Sequence, residues 1–469
     1  MAKTIILGAG LAGLSVSYHL GHQNCLLLEK ASRPFGHIGS EIRDGFTWDE
    51  GPHVSFTKHD YVRQLFAESV GGEFEEFGAR VGNYYQGHWI DHPAQVALHQ
   101  VPEPLRTRCV ESFLTSRPAA ENQASPPRDY QEWLERAFGP VFAATFPVAY
   151  TRKYWTREPR DLTADWVGGR VHAPAVADVL AGAQGPLGRN LHYITTVRYP
   201  RRGGYESFAR RLAVGANLRL GTAVAAVDLA ARTLRLADGS TLGYERLVST
   251  LPLPEFVRMC AGVPAAAREA ADALECSELL LVNVTARHVA RRPETWLYVY
   301  DEDKLSTRIN FTEHLAPGNA PAGRTGIQTE VYAGRARPFP AGPDEIARRV
   351  GDELVAMGLV EPGGVTGMHT YPVRWANVIF THDTRPALET IWCWLEQFGL
   401  RREADDTHPL TDWAQAEKSS AAPGPLAFAG RFGQWKYFWT DDCVLRGREF
   451  AHGKTPIPSD GIQGLEIGN

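Results

Sequence analysis

Apolar residues along this chain change their spacing several times, and each change marks a different element. The run Ile5-Ile6-Leu7 enters a cluster of glycines, after which Leu11, Leu14, Val16 and Leu20 recur at helical intervals. A second unbroken run, Cys25-Leu26-Leu27-Leu28, follows. The sequence therefore opens as strand, tight turn, helix and strand. Helical patterning returns from Tyr130 to Phe138. Alternation takes over from Asn217 to Leu229 and continues through ARTLRLADGSTLGYERLVSTLP, where Asp238-Gly239 predicts a hairpin turn. The stretch PLAFAGRFGQWKYFWTDDCVLRGREFAH predicts a strand from Leu426 to Ala429, a glycine turn and a helix beginning near Thr440. Between these elements, RPAAENQASPPRD (117–129) has no apolar period and predicts a linker. Residues 32–56 alternate glycines with short strand-like pieces, which suits backbone running beside an extended ligand.

The glycines of the first turn, Gly8-Ala9-Gly10-Leu11-Ala12-Gly13, have the G-x-G-x-x-G spacing. Gly8 permits the turn, Gly10 lets backbone approach a pyrophosphate at the positive end of the helix, and Gly13 lets that helix pack closely on its strand. Glu29 ends the second apolar run about twenty residues beyond the first glycine, where a dinucleotide fold places a carboxylate for a ribose hydroxyl. The second strand, glycine, helix unit near residue 430 could bring another helix N-terminus to the same cofactor, making the dinucleotide domain discontinuous.

Composition narrows the classes. At 469 residues with 43% apolar and 22% charged, the chain is globular and long enough for two lobes. Its net charge of -5 and the absence of a basic block argue against nucleic acid as a partner. An acidic small ligand would have to be held by local arginines. Cys25, Cys109, Cys260, Cys276, Cys393 and Cys443 are scattered without C-x-x-C, so neither a zinc site nor a redox dithiol is expected, and a reducing cytoplasm suits them. No apolar run approaches a membrane span, so a soluble protein with no membrane partner is expected. Oligomeric state stays open.

Taken together, these pieces resemble the FAD-binding superfamily of amine oxidases, protoporphyrinogen oxidase and UDP-galactopyranose mutase. Within it, GPHVSF (51–56), WIDHPAQ (89–95), AYTRKYW (149–155), DWVGGRV (165–171), RYPRRGG (198–204), LVSTLP (247–252), WLY (296–298) and GRFGQWKY (430–437) look most like the eukaryotic-type UDP-galactopyranose mutases and their bacterial relatives, in that family's order. The resemblance implies an α/β fold: a discontinuous Rossmann-type FAD-binding domain (1–75, 192–265 and 415–469) with an inserted mixed α+β substrate-binding and helical domain (76–191 and 266–414). It assigns Gly8, Gly10, Gly13, Glu29, Lys30, Gly36, Val224, Gly430, Arg431 and Asp441 to FAD. It places Arg170 and, with a one-residue shift, Arg308 on arginines that hold a pyrophosphate, and His53 in the loop beside the flavin. Gln95, Trp155, Tyr298 and Tyr437 fall on substrate-binding positions.

Each assignment has a structural alternative. Arg170 and Arg308 could be ordinary salt-bridge arginines. Trp155, Trp296 and Trp435 could be core or cavity wall, and His53 could serve only as a hydrogen-bonding residue. The family's pattern also breaks in places. His37 follows Gly36 where the family has a second glycine. In the base pocket P-Y-P-F-Q becomes Asp91-His92-Pro93-Ala94-Gln95, losing two aromatic rings, and a further phosphate-binding tyrosine aligns near Ile379 or Phe380. These departures make UDP itself doubtful.

What the resemblance implies is a pyranose/furanose mutase for a nucleotide sugar, in which reduced flavin N5 attacks the anomeric carbon and the protein holds the departing pyrophosphate. NAD(P)H could serve as reductant. Two readings remain beside it: an FAD-dependent oxidase or dehydrogenase acting on a small polar amine, alcohol or C–C bond, and a flavin-binding module without activity.

Overall fold

The computed structural model describes residues 2–121, 125–168, 170–188, 196–411, 413 and 424–452. Two compact units interleave along the chain. One takes the described residues within Met1–Gly36, Leu212–Ala271 and Leu388–Asn469; the other takes those within His37–Arg211 and Asp272–Ala387. These bounds differ from the sequence-derived ones chiefly in placing the described residues of 388–414 with the first unit and 37–75 and 196–211 with the second. There the strand Phe74–Gly78 pairs antiparallel with Thr196–Pro200, and Phe66 stacks on Phe208 with ring centroids 5.2 Å apart.

In the first unit, the apolar runs form the centre of a seven-stranded sheet. Ala2–Leu7 pairs in parallel with Cys25–Leu28 on one side and with Thr241–Ser249 on the other. The helix Leu11–Leu20 makes the crossover between the first two strands. The alternating stretch after Asn217 divides into the short strand Leu218–Arg219, on the far side of Cys25–Leu28, and Val224–Asp228, which pairs antiparallel with Thr233–Leu236. Thr241–Ser249 changes neighbours along its length: its beginning pairs with that hairpin and its end pairs in parallel with Leu426–Phe428. The helix Thr440–His452 then packs on the first helix so closely that a Cβ on Gly447 would lie 2.2 Å from Ser15 Oγ. Ser15 Oγ donates to the Val444 carbonyl at 2.8 Å.

Of the segment 117–129, expected as a linker, the first part continues the helix Leu105–Glu121, while 125–129 are irregular. Ala119 and Ala120 are strong helix formers, and they outweigh the breaking signal of the neighbouring proline in that last turn. Residues 122–124 lie outside the described set.

The second unit is built on another seven-stranded sheet, ordered Val365–Ile379, Glu275–Ala286, Thr325–Ala333, Arg308–Phe311, Trp296–Val299, Val81–Tyr85 and His88–Asp91. Most pairs are antiparallel, so side chains alternate between two faces. On one face Leu280, Val282, Val284, Leu297, Ile309, Ile327 and Val331 pack against Ile346, Val350 and Leu354 of the helix Pro343–Ala356. Each such buried aliphatic side chain contributes roughly 1.5–3 kcal/mol. The opposite face carries polar groups although every residue of Thr325–Ala333 is buried.

That polar face is overlain by the helix Pro147–Tyr154, whose Lys153 is 2% exposed. Its ammonium donates to the carbonyls of Val299 (2.9 Å), Asp301 (2.8 Å) and Ser306 (2.6 Å), so three donors meet three acceptors around the loop between two strands. Burial pushes its pKa down to about 7. Among the described residues no helix is long and apolar enough to cross a membrane, and no group of three or more His, Cys, Asp or Glu could hold a metal ion.

Lys153→Met leaves those carbonyls without their donor inside the protein. An unmet buried acceptor costs about 1–3 kcal/mol, so the variant is expected to lose at least about 2 kcal/mol of unfolding free energy in a denaturant titration. Wild-type stability would mean that the lysine is not the staple described.

Candidate functional site

Most of the residues singled out from the sequence fall in two constellations, one in each unit. In the first, Gly8 has φ +94°, and a Cβ there would lie 2.4 Å from Thr250 Oγ1. A Cβ on Gly13 would come within 2.0 Å of the Gly8 carbonyl oxygen, so this helix can meet the turn only with glycine at that position. Gly10 is the N-cap of the helix and provides no side-chain cap, and no acidic residue sits in the first turn. The first N–H groups are thus left for an outside acceptor, and the helix dipole favours an anion there. Gly36, at φ +51°, lies against Gly10: a Cβ on it would be 3.1 Å from Gly10 Cα.

Glu29 accepts from Ala9 N at 2.8 Å and from Ala31 N at 2.9 Å, which fixes both carboxylate oxygens while each keeps a free acceptor direction. Its backbone holds the next segment, because Thr222 N donates to the Glu29 carbonyl and Gly221 N to that of Ala31. This brings Val224, at the start of its strand, close to Glu29 and Lys30; Val224 is partly exposed and Lys30 exposed.

The C-terminal segment reaches the same helix. Gly430, at φ +87°, abuts the first helical turn, where a Cβ would lie 2.8 Å from Ala12 Cβ. Arg431 Nε donates to the Phe438 carbonyl at 2.7 Å, and its guanidinium stands 5.3 Å from the Tyr437 ring centroid. Asp441 is buried in the first turn of Thr440–His452 and accepts from Asp442 N, while Asp442 Oδ2 reaches back to Trp439 N at 2.7 Å. A bare helix N-terminus, glycines whose methyl groups would collide, and a carboxylate at the end of the second strand fit the diphosphate and ribose of FAD.

The second constellation lies on the polar sheet face. Tyr298, Arg308 and Glu330 are direct cross-strand partners, so their side chains form one row. Arg308 Nε and Nη2 donate to Glu330 Oε2 and Oε1 at 2.8 and 2.5 Å. Tyr332 Oη donates to Glu330 Oε2 at 2.9 Å. Glu330 is 1% exposed, whereas 23% of the Arg308 side chain remains accessible. Burial works against the charge of Arg308, but the Glu330 carboxylate outweighs it and holds the guanidinium pKa above its ordinary value.

Aromatic rings surround this pair. Tyr150 meets Tyr298 edge-on at 5.3 Å and stacks on Tyr154 at 5.6 Å, and Tyr154 lies 4.8 Å from Tyr332 and 5.1 Å from Trp155. Burial raises the phenol pKa values of Tyr150 and Tyr332, so both are neutral donors at pH 7. Trp155 is 4.9 Å from Trp166, four residues before Arg170. A second polar row, Trp296, Asn310, Gln328, Asn283 and His369, runs beside the first.

The loop carrying His53 is tied to this face at several points. Gly51 has φ +91°, and a Cβ on it would lie 3.5 Å from Glu330 Oε1. Gln328 Nε2 donates to the Asp49 carbonyl, Val54 packs against the cluster of Ala79, Val197 and Trp296, and His53 stacks on Tyr205 while its Nδ1 meets the Gly51 carbonyl. Beneath the loop, Asp49 accepts from Ser40 Oγ (2.6 Å), Tyr199 Oη (2.8 Å) and Tyr205 N (3.0 Å). Burial pushes the Asp49 carboxyl up to about 6 despite those donors, with Glu206 adding to the rise. At the exposed end, Glu50 bonds His37 Nδ1 through one oxygen and accepts from Tyr371 Oη through the other at 3.1 Å. The histidine that replaces the family's glycine therefore anchors this loop.

Gln95 uses its Nε2 to hold the His172 carbonyl at 2.9 Å. His92 Nδ1 meets Asn83 Oδ1 at 3.1 Å, and its ring lies 5.2 Å from Tyr298. Ile379 and Phe380, near which a tyrosine of the family aligns, are buried in the core. Glu330, Tyr332, Asn283, Asn310 and Gln328 were not singled out from the sequence. The signal was present in TGIQTEVYA, where Gln328, Glu330 and Tyr332 recur at every second position, alternating with the β-branched Ile327, Thr329 and Val331.

A family profile described as flavin containing amine oxidoreductase matches residues 11–451. Among solved structures, reduced UDP-galactopyranose mutase is similar at a TM-score of 0.83 and 22% identity, over 96% of this chain and 95% of that one. A putative protoporphyrinogen oxidase from Exiguobacterium sp. 255-15 is similar at 0.68 and 16% identity, over 96% and 97%. A redesigned putrescine oxidase reaches 0.59 at 13% identity, over 96% and 98%.

Two variants separate folding from cofactor binding. A Cβ on Gly10 meets nothing nearer than 3.9 Å, so Gly10→Ala is expected to unfold like wild type yet bind FAD at least about tenfold more weakly, because its methyl group screens the helix N-terminus. Gly13→Ala is expected to destabilise the chain itself. Flavin absorbance per protein and a denaturant midpoint, measured together, check both.

Asp49 gives a pH signature. Its pKa rises from 3.8 to about 6 on folding, so in that window the folded chain binds more protons than the unfolded one, and unfolding free energy falls as pH rises. From pH 4 to pH 6 wild type is expected to lose about 2 kcal/mol relative to Asp49→Asn. Parallel stability curves for the two proteins would refute the assignment.

Proposed function

The chain belongs to the flavin containing amine oxidoreductase family and takes FAD as its cofactor; on that premise we propose that it is a pyranose/furanose mutase for a nucleotide sugar that need not be UDP-linked. The first unit is assigned to FAD, through Gly8, Gly10, Gly13, Glu29, Lys30, Gly36, Val224, Gly430, Arg431 and Asp441. The second is assigned to substrate. Bound FAD supplies, when reduced, the nitrogen that reacts at the sugar's anomeric carbon.

The observation that carries this reading is a partly accessible arginine among tyrosines on a buried polar face. Arg308 offers fixed positive charge and a forked donor set, which suits a diphosphate leaving group. A cationic amine finds no uncompensated carboxylate in that row, because Glu330 already holds the arginine. Tyr150, Tyr298 and Tyr332 add neutral phenolic donors beside it, Tyr437 is assigned to the phosphates, and Trp155 to the wall of the cavity. Arg170 is assigned to the same leaving group, Gln95 to the nucleotide side and His53 to the loop beside the flavin.

Loss of base specificity follows from the pocket residues. His92 and Ala94 stand where the family presents aromatic rings, and His92 is already engaged with Asn83. With less aromatic surface to stack on, discrimination between bases is weaker.

The family description favours a second reading, hydride removal from an amine, alcohol or C–C bond of a small polar molecule. One experiment decides between them. The holoprotein is reduced with dithionite under anaerobic conditions, mixed with a panel of nucleotide sugars, trapped with cyanoborohydride, and the extracted flavin is weighed by mass spectrometry. A sugar-sized increase with one donor is expected. An unmodified flavin across the panel, with oxygen or acceptor consumed by an oxidisable substrate, would establish the second reading.

A further inference from the structure

We infer that Glu330 is a positioning residue that competes with the substrate's diphosphate for Arg308, so that the arginine binds the anion through one nitrogen and releases it after turnover. This rests on the mutase reading of the same site and deepens it.

Glu330 takes Nε and Nη2 of Arg308 in a two-point contact. Among the described residues no hydrogen bond to Nη1 is present, and the accessible part of the side chain leaves that nitrogen able to donate outward. A guanidinium already bound along one edge cannot also clamp a phosphate bidentately with that edge. Charge acts in the same direction. The pair is neutral overall, so an arriving diphosphate meets a dipole rather than an uncompensated cation, and its affinity is held down.

Three features hold Glu330 in this role. Its place beside Arg308 is set by strand register, not by rotamer choice alone. Tyr332 Oη donates to Oε2 and fixes the carboxylate plane. On the other side, Gly51 leaves the space that a side chain would fill near Oε1. A buried carboxylate needs such partners, since removing one leaves an uncompensated charge.

The test is calorimetric titration of inorganic pyrophosphate into FAD-loaded protein, beside steady-state kinetics with whichever nucleotide sugar gives turnover. Glu330→Gln is expected to tighten pyrophosphate binding by about tenfold, because a full charge is uncovered at short range, and to lower KM and kcat together as product release slows. Tyr332→Phe is expected to act oppositely: the carboxylate loses its phenolic donor, grips Arg308 harder, and pyrophosphate binds about twofold or more weakly. A merely structural role would weaken binding in both variants.

Weaker or unchanged binding in Glu330→Gln, with Arg308→Ala showing that the arginine does hold pyrophosphate, would overturn the inference and leave the mutase reading standing. Should Glu330→Gln fail to fold, Glu330→Asp takes its place: its shorter carboxylate loosens the two-point grip on Arg308 and pyrophosphate is expected to bind more tightly, and unchanged or weaker binding there overturns the inference. If wild type does not bind pyrophosphate, or Arg308→Ala binds it as wild type does, the leaving-group reading itself falls and the inference with it.

Discussion

Desolvation of one carboxylate organises the second unit. Glu330 lies on a strand buried on both faces, where an unpaired carboxylate would cost several kcal/mol. The chain meets that cost with Arg308 on the neighbouring strand and Tyr332 two residues along, and the strand register keeps all three in reach. Once an ion pair is fixed there, the layer above must tolerate polar groups, and it does so through tyrosines. Tyr150 and Tyr154 come from a helix stapled to the sheet by Lys153.

The opposite face of the same strands follows the ordinary rule. Leu280, Val282, Ile327 and Val331 point to the helix Pro343–Ala356 and close a dry core. Alternation with period two thus yields two unlike environments from single strands, one that holds the unit together and one that can recognise a ligand. A register slip of one residue would exchange them and bury Arg308 and Glu330 against leucines. Stability and site therefore depend on the same pairing.

The loop 49–53 shows how a flexible-looking segment is made rigid. Asp49 is held from below by Ser40, Tyr199 and the Tyr205 backbone, and Glu50 is held at the rim by His37 and Tyr371. Between those anchors the chain turns at Gly51, and His53 stacks on Tyr205. His37, a departure from the family's glycine, thereby gains a role that its neighbours in sequence do not suggest.

The glycine turn, its helix and Glu29 were legible in the sequence because their chemistry is local: a turn needing φ > 0, a helix lying against backbone, and a carboxylate at a fixed distance along the chain. The hairpin at Asp238-Gly239 and the helix beginning at Thr440 were legible for the same reason. The continuation of helix through Glu121 was not, since a proline signalled an end that two alanines and the preceding turns overrode. Glu330, Tyr332 and Asn310 were hidden for a different reason. In a one-dimensional pattern a polar residue at every second position reads as a solvent-facing strand edge, and only the tertiary structure shows that this face is covered. The sequence determined where backbone can bend and approach a cofactor; pairing of Arg308 with Glu330, 22 residues apart, was decided by strand register, which depends on how the whole sheet packs.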